Sequence, residues 1–189
     1  MRTLFAVATA AVLSFAGTGL AMANDLLGDI MLRGQSLYAQ PANPVPRSTV
    51  MFPGDYKPGT IVISTRERRL YLVTGNGQAI RYGIGVGRDG FRWSGVHRVT
   101  AKKEWPSWTP PAQMLRRRPD LPRFMKGGPD NPLGARALYL GSTLYRIHGS
   151  NEPETIGQAV SSGCFRMVND DVIDLYDRVN VGATVIVRN

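Results

Sequence analysis

The sequence is poor in cysteine and histidine. Among 189 residues there is a single cysteine, Cys164, and there are two histidines, His97 and His148. One cysteine cannot form a disulfide within the chain, and these three residues do not have the spacing of a zinc site. The sequence therefore predicts no metal site and no cofactor. We interpret His97 as a structural or surface residue.

Long apolar runs are also absent beyond the first residues. Residues 1–23 have the features of a secretory signal: Arg2, an apolar run from Leu4 to Phe15, and a small-x-small tripeptide that ends at Ala23. The apolar run is short for a membrane span, and no later run qualifies as one. We predict cleavage after Ala23, export to the periplasm, and no membrane-spanning segment.

Acidic residues are outnumbered by basic ones, 14 to 23, which leaves a formal net charge of +9. Strong basicity favours anionic partners such as nucleic acid, lipid head groups or carboxylate-bearing polymers. Because we predict export, we expect no nucleic-acid partner. A membrane surface or a cell-wall polymer with free carboxylates fits better, and charge that only maintains solubility is the alternative.

From Thr60 onward the chain has short β-rich runs separated by glycine-containing turns. Strands are predicted at 61–63, 70–73, 79–86, 96–100, 137–140, 144–148 and 184–187. Gly75-Asn76-Gly77 predicts a tight hairpin turn. Apolar spacing after Asn169 predicts a helix with Asn169 as its N-cap. The pattern indicates a mainly β fold with one or two short helices.

Three segments follow from these patterns. Residues 1–23 are the predicted signal peptide, and residues 24–58 are a predicted N-terminal arm or linker. Within that arm, apolar spacing predicts a short helix over 25–38, after which five prolines interrupt regular structure. Residues 59–189 are predicted to form one domain.

A long irregular stretch, Lys102–Pro132, interrupts the β pattern. It contains Trp105 and Trp108 and then three consecutive arginines, 116–118. Such insertions often cover a binding site. We interpret this one as a lid over an anionic, partly apolar ligand, and a solvated basic loop is the alternative.

Cys164 and His148 are the candidate reactive pair. A free thiol is largely protonated at neutral pH, so a nucleophilic cysteine needs a base or a positive neighbour, and His148 is a candidate for that base. An unpaired thiol is readily oxidised in an oxidising compartment, so its presence there suggests that the thiol has a chemical function. The alternatives are a small buried thiol beside a core histidine, or a disulfide between two chains.

The motifs around this pair resemble those of the L,D-transpeptidases of the YkuD (ErfK/YbiS/YcfS/YnhG) type. The family pattern is His-Gly, a spacer, and Ser-His-Gly-Cys followed by an apolar residue and Arg. The matching segments here are His148-Gly149, Ser161-Ser162-Gly163-Cys164-Phe165-Arg166, Asn131-Pro132-Leu133-Gly134 and the Trp-Pro-x-Trp-x-Pro-Pro run from Trp105. The resemblance covers about Thr60 to Val187. It implies a β-sandwich or barrel of mixed sheets with a long lid loop.

The resemblance also implies the roles of single residues. Cys164 would attack the peptide bond after the third residue of a peptidoglycan stem, with His148 as the base and the Gly149 carbonyl holding its tautomer. Backbone N–H groups around Gly163 and Cys164 would hold the oxyanion. Two further implied roles concern substrate: Arg166 would bind a carboxylate or brace the cysteine loop, and the lid would contribute Trp105 and Trp108.

One position departs from the family pattern, because Ser162 stands where the family usually has histidine. The base assigned above is unaffected. A hydroxyl can still donate a hydrogen bond to the oxyanion, but it carries no positive charge.

The function implied is an acyl transfer from a tetrapeptide stem to an amine. The acceptor would be a second stem peptide, an outer-membrane protein or a free D-amino acid, and we expect a monomer. The alternatives are an L,D-carboxypeptidase or amidase that uses water, and a weakly catalytic cell-wall-binding module.

Overall fold

A computed structural model describes residues 43–189. The signal peptide predicted at 1–23 and the helix predicted over 25–38 lie outside the described residues. The described part of the chain contains short strands, two short helices and a 3₁₀ turn at Pro153–Thr155. The strands are β1 (Ser48–Met51), β2 (Ile61–Ser64), β3 (Arg69–Gly75), β4 (Gln78–Gly83), β5 (Val86–Gly87), β6 (Gly95–Glu104), β7 (Arg136–Leu140), β8 (Arg146–His148), β9 (Ala159–Ser161), β10 (Phe165–Arg166) and β11 (Thr184–Arg188). The helices are α1 (Ala112–Arg117) and α2 (Asn169–Arg178). No helix in residues 43–189 has the length and apolar character needed to cross a bilayer.

Nine of these strands form one mixed sheet in the order β1-β4-β3-β2-β11-β6-β7-β8-β10, and β5 pairs separately with β9. Most neighbours are antiparallel, whereas β11 with β2 and β10 with β8 are parallel. The mainly β, mixed-sheet fold class is therefore confirmed.

The core lies against this sheet. In β2 all four residues are buried, which explains why Ile61-Val62-Ile63 is a continuous apolar run rather than an alternating one. Helix α2 buries Val172 and Leu175 in the same core. The predicted hairpin turn between β3 and β4 is confirmed: Asn76 and Gly77 have φ values of 51° and 67°, as a type I′ turn requires.

The proline-rich arm contains a strand that the sequence did not predict. Strand β1 lies between Pro46 and Pro53 and pairs with β4 along the edge of the sheet. An edge strand uses only one side of its backbone for the ladder, so prolines at its ends remove no sheet hydrogen bond. The expectation that the prolines exclude regular structure is wrong for Ser48–Met51.

The strand predicted at 79–86 is two strands. β4 ends at Gly83, where a Cβ would come within 2.8 Å of Val45 Cγ1, and the chain then turns so that β5 pairs with β9. Close approach of the arm explains this glycine.

Asn169 is the first residue of α2 and makes no cap hydrogen bond; the residue before the helix is Val168. Its Oδ1 instead accepts a hydrogen bond from the Ala135 N–H at 2.9 Å. The N-cap prediction is therefore wrong. The amide connects the start of α2 to the segment before β7.

Candidate active site

The pairing of β8 with β10 brings the candidate reactive residues together. The two strands are parallel, with Phe165 opposite Ile147 and Arg166 opposite His148. Phe165 and Ile147 are buried in the core. Because successive side chains on a strand point to opposite faces, the neighbouring positions face away from the core. These positions are Arg146, His148, Cys164 and Arg166.

A cavity of about 320 Å³ lies over this face. Five of the residues predicted from the sequence line it: His148, Ser162, Cys164, Arg166 and Trp108. The structure therefore places the proposed nucleophile, the proposed base and Trp108 of the Lys102–Pro132 insertion around one cavity.

Trp105 does not line this cavity, and its side chain is 44% exposed. Its backbone N–H donates to Ala135 O at 2.8 Å, just after β6 ends. The predicted contact between Trp105 and substrate therefore has no counterpart in the cavity.

His148 is buried and has a defined tautomer. Its Nδ1 lies 2.6 Å from Gly149 O, and because a carbonyl only accepts, Nδ1 carries the hydrogen. The other ring nitrogen, Nε2, is then an acceptor. Burial lowers the pKa of His148 from 6.5 to about 3, and the nearby Arg166 and Arg146 add to this effect. The imidazole is therefore neutral at physiological pH.

Gly149 has a packing role as well as a carbonyl. A Cβ at this position would overlap Asn169 Oδ1 and lie 3.0 Å from Ala135 N. Its N–H donates to Arg136 O at 3.0 Å. Glycine is therefore needed here so that α2 and the segment before β7 can pack against the histidine.

Cys164 is half-buried, and its Sγ donates a long hydrogen bond, 3.8 Å, to Leu144 O. Burial raises the pKa of the Cys164 thiol, while Arg146 and Arg166 act in the opposite direction. Within residues 43–189 no hydrogen bond joins Sγ to His148. Because burial raises the pKa of the thiol and lowers that of the imidazole, the resting pair is a thiol and a neutral imidazole. Catalytic hydrogen bonds often form only when substrate is bound.

The loop before Cys164 is held by its own hydrogen bonds. Ser161 Oγ accepts from the Gly163 N–H at 3.1 Å and donates to Cys164 O at 2.6 Å. The Gly163 N–H is thus occupied, which differs from its predicted role as an oxyanion donor. In the described part of the chain, the N–H groups of Ser162 and Cys164 donate to no protein acceptor and remain as candidate donors.

Two aromatic residues that sequence reasoning missed hold this loop in place. Trp93 Nε1 donates to Gly163 O at 2.8 Å, and the Trp93 ring stacks on Tyr145 at 4.5 Å. A Cβ on Gly163 would come within 2.5 Å of the Tyr145 ring, and the φ of Gly163 is +112°. Both observations require glycine directly before the cysteine. No periodic signal in the sequence marks Trp93.

Arg166 is held by contacts to two other segments of the chain. Its guanidinium pairs with Glu152 at 2.7 Å, and its backbone exchanges two hydrogen bonds of 2.9 Å with Gly85. The charge of Arg166 is therefore already balanced. Sequence reasoning left Arg146 without a role, although the alternation Arg146-Ile147-His148 in a predicted strand places it on the same face as His148.

The Lys102–Pro132 insertion is partly regular and partly a wall of the cavity. It contains helix α1, and Trp108 forms a backbone bridge with Met125. Of its three consecutive arginines only Arg117 lines the cavity, where it lies 5.2 Å from the centre of the Phe91 ring.

Asn131 anchors the end of this insertion. Its side chain is buried, donates to Lys126 O at 2.9 Å and accepts from the Leu133 N–H at 2.9 Å. Pro132 and Leu133, the next residues of the motif, line the cavity. The Asn-Pro-Leu-Gly motif thus shapes the connection between the Lys102–Pro132 insertion and β7.

Comparison with known proteins gives one family model, YkuD, the L,D-transpeptidase catalytic domain, which matches residues 58–187. A relative named Probable L,D-transpeptidase ErfK/SrfK from Escherichia coli strain K12 is 41% identical over 134 residues. The matched region is 66% of this chain and 42% of that protein. The chain thus spans less than half the length of this relative.

Two solved structures share the fold. One is an L,D-transpeptidase from Mycobacterium smegmatis, with a TM-score of 0.55 and 18% sequence identity. The aligned region is 69% of this chain and 58% of that chain. The other, described as a probable carnitine operon oxidoreductase from Brucella melitensis, has a TM-score of 0.52 at 48% identity and covers 77% and 93% of the two chains.

The description of the second structure names an oxidoreductase, and many oxidoreductases bind a dinucleotide through a glycine-rich loop. Gly85, Gly87 and Gly90 have the G-x-G-x-x-G spacing of dinucleotide-binding loops. In those loops the glycines open a helix, whereas here they are followed by β6. The matched family model and the motifs on β8 and β10 agree instead with each other: this chain belongs to the YkuD family, the L,D-transpeptidase catalytic domain family.

Proposed function

We propose that this chain is a peptidoglycan L,D-transpeptidase with Cys164 as nucleophile and His148 as general base. The observation that carries the proposal is the shared face of β8 and β10, on which both side chains line one cavity. Membership of the family supports the same reaction class.

The first step is acylation of the cysteine. Cys164 Sγ attacks the carbonyl carbon after the third residue of a tetrapeptide stem, and the thiol proton passes to His148 Nε2. The hydrogen bond from Nδ1 to Gly149 O leaves Nε2 free to accept it. Because burial favours the neutral forms of both groups, the proton moves as the S–C bond forms rather than beforehand.

The carbonyl oxygen becomes negatively charged in the tetrahedral intermediate. The N–H groups of Cys164 and Ser162 are its candidate donors, with the Ser162 hydroxyl as a third. Donors held by a rigid loop stabilise such a charge without reorganisation. The contacts that Ser161, Trp93 and Tyr145 make to Gly163 supply that rigidity.

Collapse of the intermediate breaks the C–N bond. The protonated His148 gives its proton to the leaving nitrogen, which releases the terminal D-amino acid and leaves a thioester on Cys164. An amine then attacks the thioester and completes the transfer. If water attacks instead, the same residues make an L,D-carboxypeptidase.

The setting of the thiol suits an exported enzyme. The thiolate, not the thiol, is the form that is readily oxidised. A raised pKa keeps Cys164 protonated between turnovers. We further propose, from the sequence of residues 1–23, that this segment directs export to the periplasm and that residues 59–189 act there as the catalytic domain.

The acceptor is proposed as an amine on a second stem peptide or on an outer-membrane protein. A weakly catalytic wall-binding module is the competing function, and Ser162 in place of histidine is the feature that favours it. A trapped thioester separates the two.

The test is incubation with purified disaccharide-tetrapeptide, followed by intact-mass analysis of the protein and mass analysis of the products. We expect an acyl adduct on the wild type and a crosslinked or hydrolysed product. Cys164→Ala should form no adduct and lose several orders of magnitude in turnover. Retained turnover in Cys164→Ala would overturn the mechanism. Adding an acceptor amine separates transfer from hydrolysis.

A further inference from the structure

Among residues 43–189, three arginines line the cavity and no aspartate or glutamate does so. Arg166 is paired with Glu152 at 2.7 Å. Arg117 is exposed on the lid, where water screens its charge. Arg146 differs from both, because it is half-buried and, among residues 43–189, has no carboxylate within salt-bridge distance.

The guanidinium of Arg146 is also incompletely hydrogen-bonded. Its Nε is buried and has no partner among the described residues. A buried donor without an acceptor is unfavourable, and a half-buried cation without a counter-charge is more so. An anion in the cavity would supply the missing counter-charge.

The position of Arg146 is held by the sheet. It pairs directly across from Tyr139 on β7, and its Cζ lies 5.1 Å from the centre of that ring. This cation–π contact limits the freedom of the guanidinium before any ligand binds. On the other side, the register of β8 with β10 places Arg146 beside Cys164, as Arg166 is beside His148.

We propose that Arg146 binds a carboxylate of the donor peptide beside the carbonyl that Cys164 attacks, and thereby selects peptides that carry this charge over their amides. The inference rests on the proposed function. Two carboxylates of a stem peptide have this chemistry: the one at the C-terminus of the leaving residue and the one on the side chain of a diacidic third residue. A guanidinium matches either one with paired hydrogen bonds.

The experiment compares three tetrapeptides: the free acid, the C-terminal amide, and the amide of the third-residue side chain. Each is measured as kcat/KM with the wild type, Arg146→Gln, Arg146→Lys and the control Arg66→Gln. Arg66 is an exposed arginine outside the cavity, so its variant makes the same charge change without touching the site.

We expect the wild type to prefer the free acid over one of the two amides by about ten- to a hundredfold, the range for a charged hydrogen bond. In Arg146→Gln, kcat/KM should fall for the free acid alone, so that the preference is lost. Arg146→Lys should keep part of the preference, and Arg66→Gln should keep all of it. The amide that the wild type rejects identifies the carboxylate that is bound.

Three results would overturn the inference: no acid preference in the wild type, an unchanged preference in Arg146→Gln, or an equal slowing of all three peptides by that variant. The last result would mean that Arg146 acts on the thiol or on the fold. Binding of the same peptides to Cys164→Ala, with and without Arg146→Gln, supplies a readout that needs no turnover. Selective binding without any thioester would leave the Arg146 site standing and remove the transpeptidase function.

Discussion

The floor and the cover of the cavity are built differently. The floor is the pair β8 and β10, whose inward residues Ile147 and Phe165 are in the core and whose outward residue His148 is only 4% exposed. The cover is the Lys102–Pro132 insertion, in which helix α1 has no buried residue and no side-chain cap. Short helices without packing contribute little stability of their own.

This contrast teaches where each kind of precision is needed. Bond formation at Cys164 requires atoms held within tenths of an ångström, and strands fixed by the core provide that. If the insertion is a lid that admits a peptide, as the sequence predicts, it has to move, and segments with few buried contacts open at low cost. We therefore expect floor substitutions to change kcat and cover substitutions to change KM.

The largest effect that would test this contrast is at His148. In His148→Ala the thiol loses its proton acceptor, and kcat/KM should fall by about a hundred- to ten-thousandfold. The wild-type rate should be nearly independent of pH from about 5 to 8, because the neutral imidazole persists down to a pKa of about 3. The variant should instead speed up with rising pH as thiolate forms. Turnover of the tetrapeptide across this pH range is the measurement, and a wild-type rate that falls steeply below pH 6.5 would contradict the neutral pair.

Because His148 is buried in the floor, the free energy of unfolding of the protein should also depend on pH. The pKa of His148 is about 3 in the folded state and near 6.5 when unfolded. Between these values the unfolded chain binds a proton that the folded chain does not, so stability falls as pH falls, by at most about 1.4 kcal/mol per pH unit. In His148→Gln this contribution is absent, and the loss between pH 6.5 and 4.5 should be smaller. Urea unfolding at several pH values measures both slopes; equal slopes would mean that His148 is not buried in neutral form.

A smaller effect is expected at Ser162, which lines the floor but does not handle the proton. Ser162→Ala removes at most one neutral hydrogen bond to the oxyanion, worth about 1 kcal/mol, or roughly a fivefold loss in kcat. Its pH dependence should match that of the wild type. A loss as large as that of His148→Ala would show that the serine takes part in proton transfer.

The smallest effect is expected on the cover. Arg117→Glu should raise KM a fewfold at low salt with kcat unchanged, because the exposed charge attracts an anionic peptide, and the effect should shrink as salt is added. Arg116→Glu is the matched control, because it changes the charge by the same amount at a residue that does not line the cavity. If the two variants had the same KM at low salt, the three arginines would be a solvated surface that does not bind the peptide.

Local patterns in the sequence determined the fold class, the β3–β4 hairpin and the candidate pair Cys164 and His148. Strand periodicity and turn chemistry act over a few residues, so they are visible without the fold. That the sequence contains a single thiol is likewise a property of its composition. The unpredicted strands β9 and β10 are two or three residues long, too short for a periodic signal.

Only the tertiary structure decided which residues share the site. The pairing of β8 with β10 sets Arg146 beside Cys164. The path of the Lys102–Pro132 insertion places Arg117 at the cavity and leaves Trp105 outside it. The occupied Gly163 N–H, the Arg166–Glu152 pair and the bracing by Trp93 follow from contacts between segments that are far apart in the chain. Such contacts depend on register and packing, and the pKa of His148 depends on burial. These are properties of neighbours in space, which the order of residues along the chain does not display.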